Sequence, residues 1–236
     1  MTAPVSVIIP VLNAAERLGP CLGILGEALF DGLICEVILA DGGSSDGIAV
    51  VAEETGAHLV VSAPGRGTQM AAGARTARGT WLLFLHADTC PGPTWATAVR
   101  SHISAHPDRA GYFGHAFDDS SVAARIVSGW ANTRSALFGL PYGDQGLLIR
   151  RRVYEEAGGF PEIPLMEDVA LVRTLGRRRL RRLGEIAVTS ADRYRSEGWL
   201  RRGGRNLGTL ARFLTGADPA GLARRYEDQP GSKPGS

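Results

Sequence analysis

Lysine is almost absent from this chain: of its 26 basic residues 25 are arginine, and the single lysine, Lys233, lies near the C-terminus. A phosphate-binding loop of the G-x-x-x-x-G-K type is thereby excluded, because that loop needs its lysine on the phosphates. The one glycine-flanked loop resembling a dinucleotide fingerprint, Gly65-Arg66-Gly67, fails it at Met70. Cysteine is scarce too. Cys21, Cys35 and Cys90 are an odd number with no C-x-x-C pair, which argues against a disulfide framework or a zinc finger and for small buried thiols in a reducing compartment. No apolar run approaches the roughly 18–20 residues of a membrane span. Met1-Thr2-Ala3-Pro4 carries no basic residue, and the apolar stretch over 5–12 is broken by Pro10. It reads as a first strand rather than a signal peptide, and the expected location is cytoplasmic.

What is present is ordinary in amount and uneven in placement. A length of 236 residues suits one domain with a full core. Hydrophobic content of 44% and charged content of 21% exclude wholesale disorder and fibres. The net charge of +2 conceals an asymmetry: residues 1–172 carry 11 basic and 18 acidic side chains, residues 173–236 carry 15 and 6. A basic C-terminal third suits phosphates or an anionic membrane surface.

Apolar runs alternate with helical stretches through the first half. Residues 5–10 read as a buried strand, 14–30 as a helix capped by Asn13, and 36–40 as the next strand. A turn over 41–47 leads into a helix over 48–55; then come strand 58–62, loop 63–67, helix 68–77 and strand 81–85. Continuous apolar strands separated by helices imply an α/β fold, a mostly parallel central sheet flanked by helices. The second half is less regular. It reads as strands 111–117, 146–150 and 185–189, helices 121–138 and 167–175, and a helix or helix pair over 196–214 containing Gly203, Gly204 and Gly208. From about Asp228 the composition is that of a disordered end.

Ligands of such sheets bind outside the carboxyl ends of the strands. Three loops there are polar or glycine-rich: Asn13, the turn from Asp41 to Asp46, and His86-Ala87-Asp88. A carboxylate at Asp88 can hold Mg²⁺ or Mn²⁺. His86 would share its face in an extended segment, and manganese tolerates an imidazole better than magnesium does. The competing role for Asp88 is to cap a helix starting near Thr94. In Asp41-Gly42-Gly43-Ser44-Ser45 the glycines admit a ligand and the acid can accept from a base or ribose; the alternative is a plain turn with Ser45 as helix cap. Arg66 can meet a diphosphate. Glu167-Asp168 is either a dipole complement at a helix start or a general base facing the crevice. Gly143-Asp144-Gln145-Gly146 either lines the site or merely connects.

As an ordered set, residues 7–13 (VIIPVLN), 41–47 (DGGSSDG), 84–88 (FLHAD), Gly158-Gly159-Phe160 and Glu167-Asp168 resemble inverting family 2 glycosyltransferases over about residues 4–215. The stretches GRGTQMAAGA, LFLHADT, GDQG and GGFPEIPLMED resemble a compact subgroup associated by genome context with radical-SAM proteins and arsenosugar biosynthesis. The resemblance implies a GT-A fold in a single domain over 1–215, with a nucleotide-binding half to about 110, an acceptor half over 111–215, and a tail over 216–236. It implies transfer of a sugar, with inversion, from a nucleoside-diphosphate sugar, foremost a UDP-sugar, to a hydroxyl on a small or lipid-linked acceptor, with Mn²⁺ or Mg²⁺ as cofactor. Pro10, Asn13 and Asp41, with Gly42 and Gly43, match nucleotide-binding positions. Asp88 matches the last acid of the metal-binding D-x-D, and Asp168, preceded by Glu167, the catalytic base. Gly143, Asp144 and Gln145 fall on the acceptor side. Two departures stand out. His86 replaces the first acid of D-x-D, and the usual A-R-N-x-G reads Gln69-Met70-Ala71-Ala72-Gly73, so Gln69 stands on the nucleotide side and Arg66 substitutes for the missing arginine. The expected Arg-Trp element survives as Arg193-Tyr194-Arg195.

Two rival readings remain. A sugar-phosphate nucleotidyltransferase would want a lysine near the N-terminus, and there is none. A non-catalytic nucleotide-sugar or membrane-surface binding module fits the lost first acid but not the retained Asp88 and Glu167-Asp168. No nucleic-acid motif accompanies the arginines. Arg177, Arg178, Arg179, Arg181 and Arg182, with Arg201, Arg202, Arg205 and Arg212, form either a solvated basic face or a reversible contact with anionic lipid at the inner membrane face.

Overall fold

The computed structural model describes residues 3–227. The first strand, β1 (Val5–Val11), is buried along its whole length because helices cover both of its faces. Its period of two sends Val5, Val7 and Ile9 to one core and Ile8 to the other. The chain continues through α1 (Ala15–Phe30), β2 (Ile34–Asp41), α2 (Ile48–Thr55), β3 (His58–Val61), α3 (Arg66–Thr76) and β4 (Trp81–Phe84). There follow β5 (Thr89–Pro91), α4 (Trp95–Ala105), β6 (Ala110–Phe117), α5 (Val122–Phe138), β7 (Leu147–Arg150), α6 (Arg151–Glu156) and α7 (Glu167–Leu175). Last come β8 (Leu180–Thr189), α8 (Asp192–Glu197), α9 (Trp199–Leu214) and α10 (Pro219–Glu227).

The eight strands form one mixed sheet in the order β3-β2-β1-β4-β7-β6-β8-β5. β3, β2, β1 and β4 are parallel, as the βαβ reading of the first half requires. β7 then runs antiparallel between β4 and β6, with Phe84 opposite Leu147. This reversal matters for the site. The chain entering β7 arrives at the edge where the chain leaving β4 departs, so the turn over 143–146 meets His86-Ala87-Asp88. One core layer packs Leu18, Leu25, Trp95 and Val99 beneath the sheet; the other packs Met70, Tyr154, Val169 and Leu171 above it.

Several local expectations are corrected. α1 is not capped by Asn13: the cap position is Ala14, without a side-chain bond, and Asp46 accepts the Ala15 N–H at 2.8 Å from the neighbouring loop. Asp46, not Ser45, also accepts from Ile48 at the start of α2, at 3.3 Å. Serine and asparagine so close to a helix start invite a local cap, but tertiary proximity supplied a full carboxylate instead. β8 begins five residues before the expected strand and includes Arg181 and Arg182. Within the segment read as a tail, α10 forms and buries Leu222; the expected disorder beyond Asp228 falls outside the described residues.

Candidate active site

The loops after β1 and β2 brace each other. Asn13 adopts a left-handed backbone, φ 49°, which asparagine tolerates better than most residues. Its Oδ1 accepts the Ser45 N–H at 2.9 Å, and its own N–H donates to Ser44 Oγ at 2.9 Å. Asp41, buried at the end of β2, accepts from Ser44 N–H at 2.9 Å and Ser44 Oγ–H at 2.6 Å, so its carboxylate closes the turn. Pro10 is buried in β1 beside Ala40. Gln69 departs from its expected place at the nucleotide. It is 3% exposed, and its amide donates to Val11 O at 2.7 Å and Ala40 O at 2.8 Å. It therefore ties the ends of β1 and β2 together from the α3 side, and Gly42 lies against the same amide, where a Cβ would meet it at 3.0 Å. Gly43 turns outward with φ 97°.

His86, Gly143 and Asp168 line one pocket at the carboxyl edge, together with Met70, Tyr142 and Phe160. His86 Nε2 is buried against Gly143 and has no hydrogen-bond partner among the described residues. Burial above all, and then the Arg66 guanidinium, push the imidazole pKa below its ordinary value, against the opposing pull of Asp88, Asp144 and Asp168. Asp168 is oriented by the Gly143 N–H, which donates to its Oδ2 at 2.8 Å, while Oδ1 accepts from Val169 N–H at 2.7 Å. Asp144 Oδ2 lies 3.4 Å from the buried His115 Nε2, and its buried Oδ1 has no hydrogen-bond partner among the described residues. The competing role for Asp88 is filled by another acid, since Glu185 accepts the Thr94 N–H at the start of α4 at 2.8 Å.

Whether these residues suit a divalent cation is a matter of donor chemistry. Among the described residues no three His, Cys, Asp or Glu side chains converge as a ready coordination set. Mg²⁺ and Mn²⁺ do not require one, because they take one or two carboxylates and complete their shell with water and substrate phosphates. Asp88 offers such a carboxylate at the half-buried edge, beside an imidazole whose lowered pKa keeps it in the neutral form that ligates. Among the described residues His86 Nε2 has no hydrogen-bond partner, an orphaned polar atom of the kind a bound ion satisfies. The donor set fits. Gly143 is essential to this packing, since a Cβ at that position would clash with His86 Nε2. Gly143→Ala is expected to lower turnover by about 10²-fold through displaced site groups while costing about 1–3 kcal/mol of stability. Steady-state rates alongside thermal melts check this, and an unchanged rate would show that the ring position is irrelevant.

The two acids of the pair part company. Met166 takes a left-handed backbone, φ 67°, and turns the chain so that Glu167 points inward while Asp168 reaches the pocket. Such strain in a non-glycine residue clusters at functional sites. Glu167 does not face the crevice as the sequence reading had it: it is fully buried, with Oε1 3.0 Å from Arg66 Nε. Burial pushes its pKa up to about 7, with the nearby Asp168 adding to the rise and Arg66 opposing it. A carboxyl raised in the folded state binds its proton there when the unfolded chain has lost it, so stability falls as pH climbs between the ordinary value and about 7. Urea unfolding of wild type and Glu167→Gln at pH 5 and pH 8 should differ in pH response by about 3 kcal/mol, the wild type being the one that weakens. Parallel pH curves would refute the burial effect.

On the acceptor side, Gln145 is also turned inward, donating to Phe113 O at 3.1 Å and accepting from Ser135 Oγ–H at 2.5 Å; it shapes the turn and does not line the pocket. Arg195 is tied to Asp118, Asp119 and Asp192, and Tyr194 stacks on Trp199. Sequence reasoning missed Tyr142, Phe160 and Met70 as lining residues, and His115 as the partner of Asp144. Tyr142, whose ring lies 3.4 Å beneath the Arg134 guanidinium, had a legible signal in its place beside the polar turn. His115 had none, since it sits in an apolar strand 29 residues from its partner.

The family model for glycosyl transferase family 2 matches residues 6–143. The chain belongs to that family. A search of curated proteins finds no match. Among solved structures, a mycobacterial protein aligns with TM-score 0.55 at 21% identity over 80% of this chain and 65% of its own, so this chain spans just under two thirds of its length. Residues 1–349 of S. aureus TarS align with TM-score 0.58 at 15% identity over 93% and 68%. Glucosyl-3-phosphoglycerate synthase from Mycobacterium tuberculosis, solved with Mn²⁺, UDP and glucosyl-3-phosphoglycerate, aligns with TM-score 0.57 at 18% identity over 80% and 70%. At these identities the likeness concerns the fold, which is the GT-A fold of nucleotide-diphospho-sugar transferases.

Proposed function

We propose that this protein moves a sugar from a nucleoside-diphosphate sugar to a hydroxyl acceptor by direct displacement, inverting the anomeric carbon, with Asp168 as general base. The observation that supports it most is that His86, two residues before Asp88 in the loop after β4, and Asp168 at the start of α7 line one pocket and both lie against Gly143. Asp168, held by the Gly143 N–H, takes the proton of the acceptor hydroxyl as its oxygen attacks. Arg66, anchored by Glu167 at the start of α3, brings positive charge toward the departing diphosphate. Asp88, with His86 beside it, would hold the divalent cation, which when bound neutralises leaving-group charge as a Lewis acid. Glu167, turned onto Arg66, is not placed to act as a nucleophile, which favours a single displacement. Tyr142, Phe160 and Met70 exclude water from the reacting centre.

The TarS structure with UDP-GlcNAc and the mycobacterial synthase structure with Mn²⁺ and UDP-glucose make a UDP-sugar the first donor to test. The subgroup that the motifs resemble makes a small hydroxyl compound the first acceptor. The experiment is proton NMR of a UDP-sugar panel with and without Mn²⁺. Metal-dependent release of UDP with an inverted anomeric product is expected. Retention of configuration sinks the mechanism, and nucleotide binding without any release leaves a pure binding module.

A further inference from the structure

Helices α5 and α9 are in contact, and both lack what solvent-facing helices normally carry. On α5 the exposed positions include Val122 (63%), Ile126 (67%), Trp130 (46%) and Leu137 (55%), spaced to form one stripe. On α9 they are Leu200 (93%), Leu207 (48%) and Leu214 (40%), at seven-residue intervals, with Gly204 and Ala211 between them on the same stripe. The two helices, of 17 and 16 residues, contain no aspartate or glutamate but six arginines. Arg134 and Arg202 turn inward, whereas Arg125, Arg201 and Arg212 are exposed. A groove between α9 and α10 is lined by Arg201, Arg212 and Arg225 with Gly204 and Gly208, while Arg205 is turned onto the buried Glu197.

We propose that this face docks on an anionic phospholipid bilayer, the leucine and tryptophan stripes entering the interfacial zone and the groove arginines meeting lipid phosphates. The pairing of an apolar stripe with an arginine flank is the signature of a helix lying in the interface plane. A second copy of the chain fits poorly, because symmetric docking would bring arginine flanks together with no acid on either helix to offset them. Among the described residues no helix is long and apolar enough to cross a membrane, so attachment is peripheral and salt-sensitive. The surface differs from the start of β8, where Arg181 and Arg182 are exposed without an apolar stripe beside them in the strand. The inference does not rest on the transfer reading, and its test needs no turnover.

Co-sedimentation of the full chain with equimolar phosphatidylglycerol–phosphatidylcholine vesicles, and with phosphatidylcholine alone, at low and high salt, decides it. Pelleting is expected only with anionic vesicles at low salt, accompanied by a blue shift of tryptophan emission that Trp130→Phe removes. Leu200→Glu with Leu207→Glu should abolish pelleting with an unchanged melting temperature. Arg201→Gln should weaken it about fivefold. Arg181→Gln should leave it unaltered. Should the double glutamate variant fail to fold, Leu200→Ser, at a position almost fully exposed, serves in its place. Full recovery in every supernatant overturns the proposal, as does undiminished pelleting of the leucine variants. A concentration-dependent dimer, abolished by those substitutions and formed without vesicle binding, overturns it in favour of a face between copies.

Discussion

Replacing Asp168 with asparagine is expected to lower sugar transfer by about 10²–10⁴-fold, the range that a positioned general base supplies. The nucleotide should still bind, because the loops read as its cradle lie across the sheet edge from this side chain. Both Asp168 oxygens accept backbone N–H bonds, from Gly143 and Val169. The substituted amide must therefore oppose one of those donors, and about 1–3 kcal/mol of stability should go with it. Calorimetric titration of UDP alongside product assays separates the two roles. A parallel collapse of donor affinity would make Asp168 a binding residue, and surviving transfer would place the base elsewhere.

The second large effect is expected at Asp88. Among the described residues its carboxylate accepts one weak side-chain hydrogen bond, from Thr89 Oγ1 at 3.3 Å, so truncation to alanine leaves the packing alone. Loss of a cation ligand removes several kcal/mol of charge stabilisation, and turnover should fall by about 10³-fold or more. Mn²⁺-dependent strengthening of UDP binding should vanish with it. His86→Ala should be milder, since the imidazole accompanies the carboxylate rather than replacing it. Near wild-type turnover of purified Asp88→Ala at the same metal concentration would remove Asp88 from the cation site.

The parts of this site that the sequence disclosed were those where local chemistry is unusual for its surroundings. An aspartate ending a run such as Trp81–Phe84, or glycines and serines filling the turn after β2, stand out whatever the tertiary context. The opposite errors share one cause. Gln69, Glu167 and Gln145 were read as facing the ligand because they are polar and adjacent to motif positions, yet each is folded inward onto a backbone carbonyl or an arginine. A sequence records that a side chain is polar, not whether its partner is substrate or protein. The 143–146 turn is instructive in another way. It precedes a strand, where parallel topology would send it to the far edge, and only the reversal of β7 brings it to Asp168. Strand direction follows from which neighbour the strand joins, a long-range property that no window of residues contains.

The amide of Gln69 has a consequence for binding entropy. By holding the last carbonyls of β1 and β2 at fixed separation, and with Asn13 and Ser44 linking the loops above, it leaves that wall of the crevice with few conformations to surrender when a ligand arrives. The wall built from the 141–146 stretch and the start of α7 is tied as firmly, through Gln145 to Phe113 and Ser135, Asp144 to His115, Gly143 to Asp168 and Glu167 to Arg66. Little ordering is therefore left to either wall on association. A ligand reaching both should bind with an unfavourable entropy hardly larger than one touching only the first.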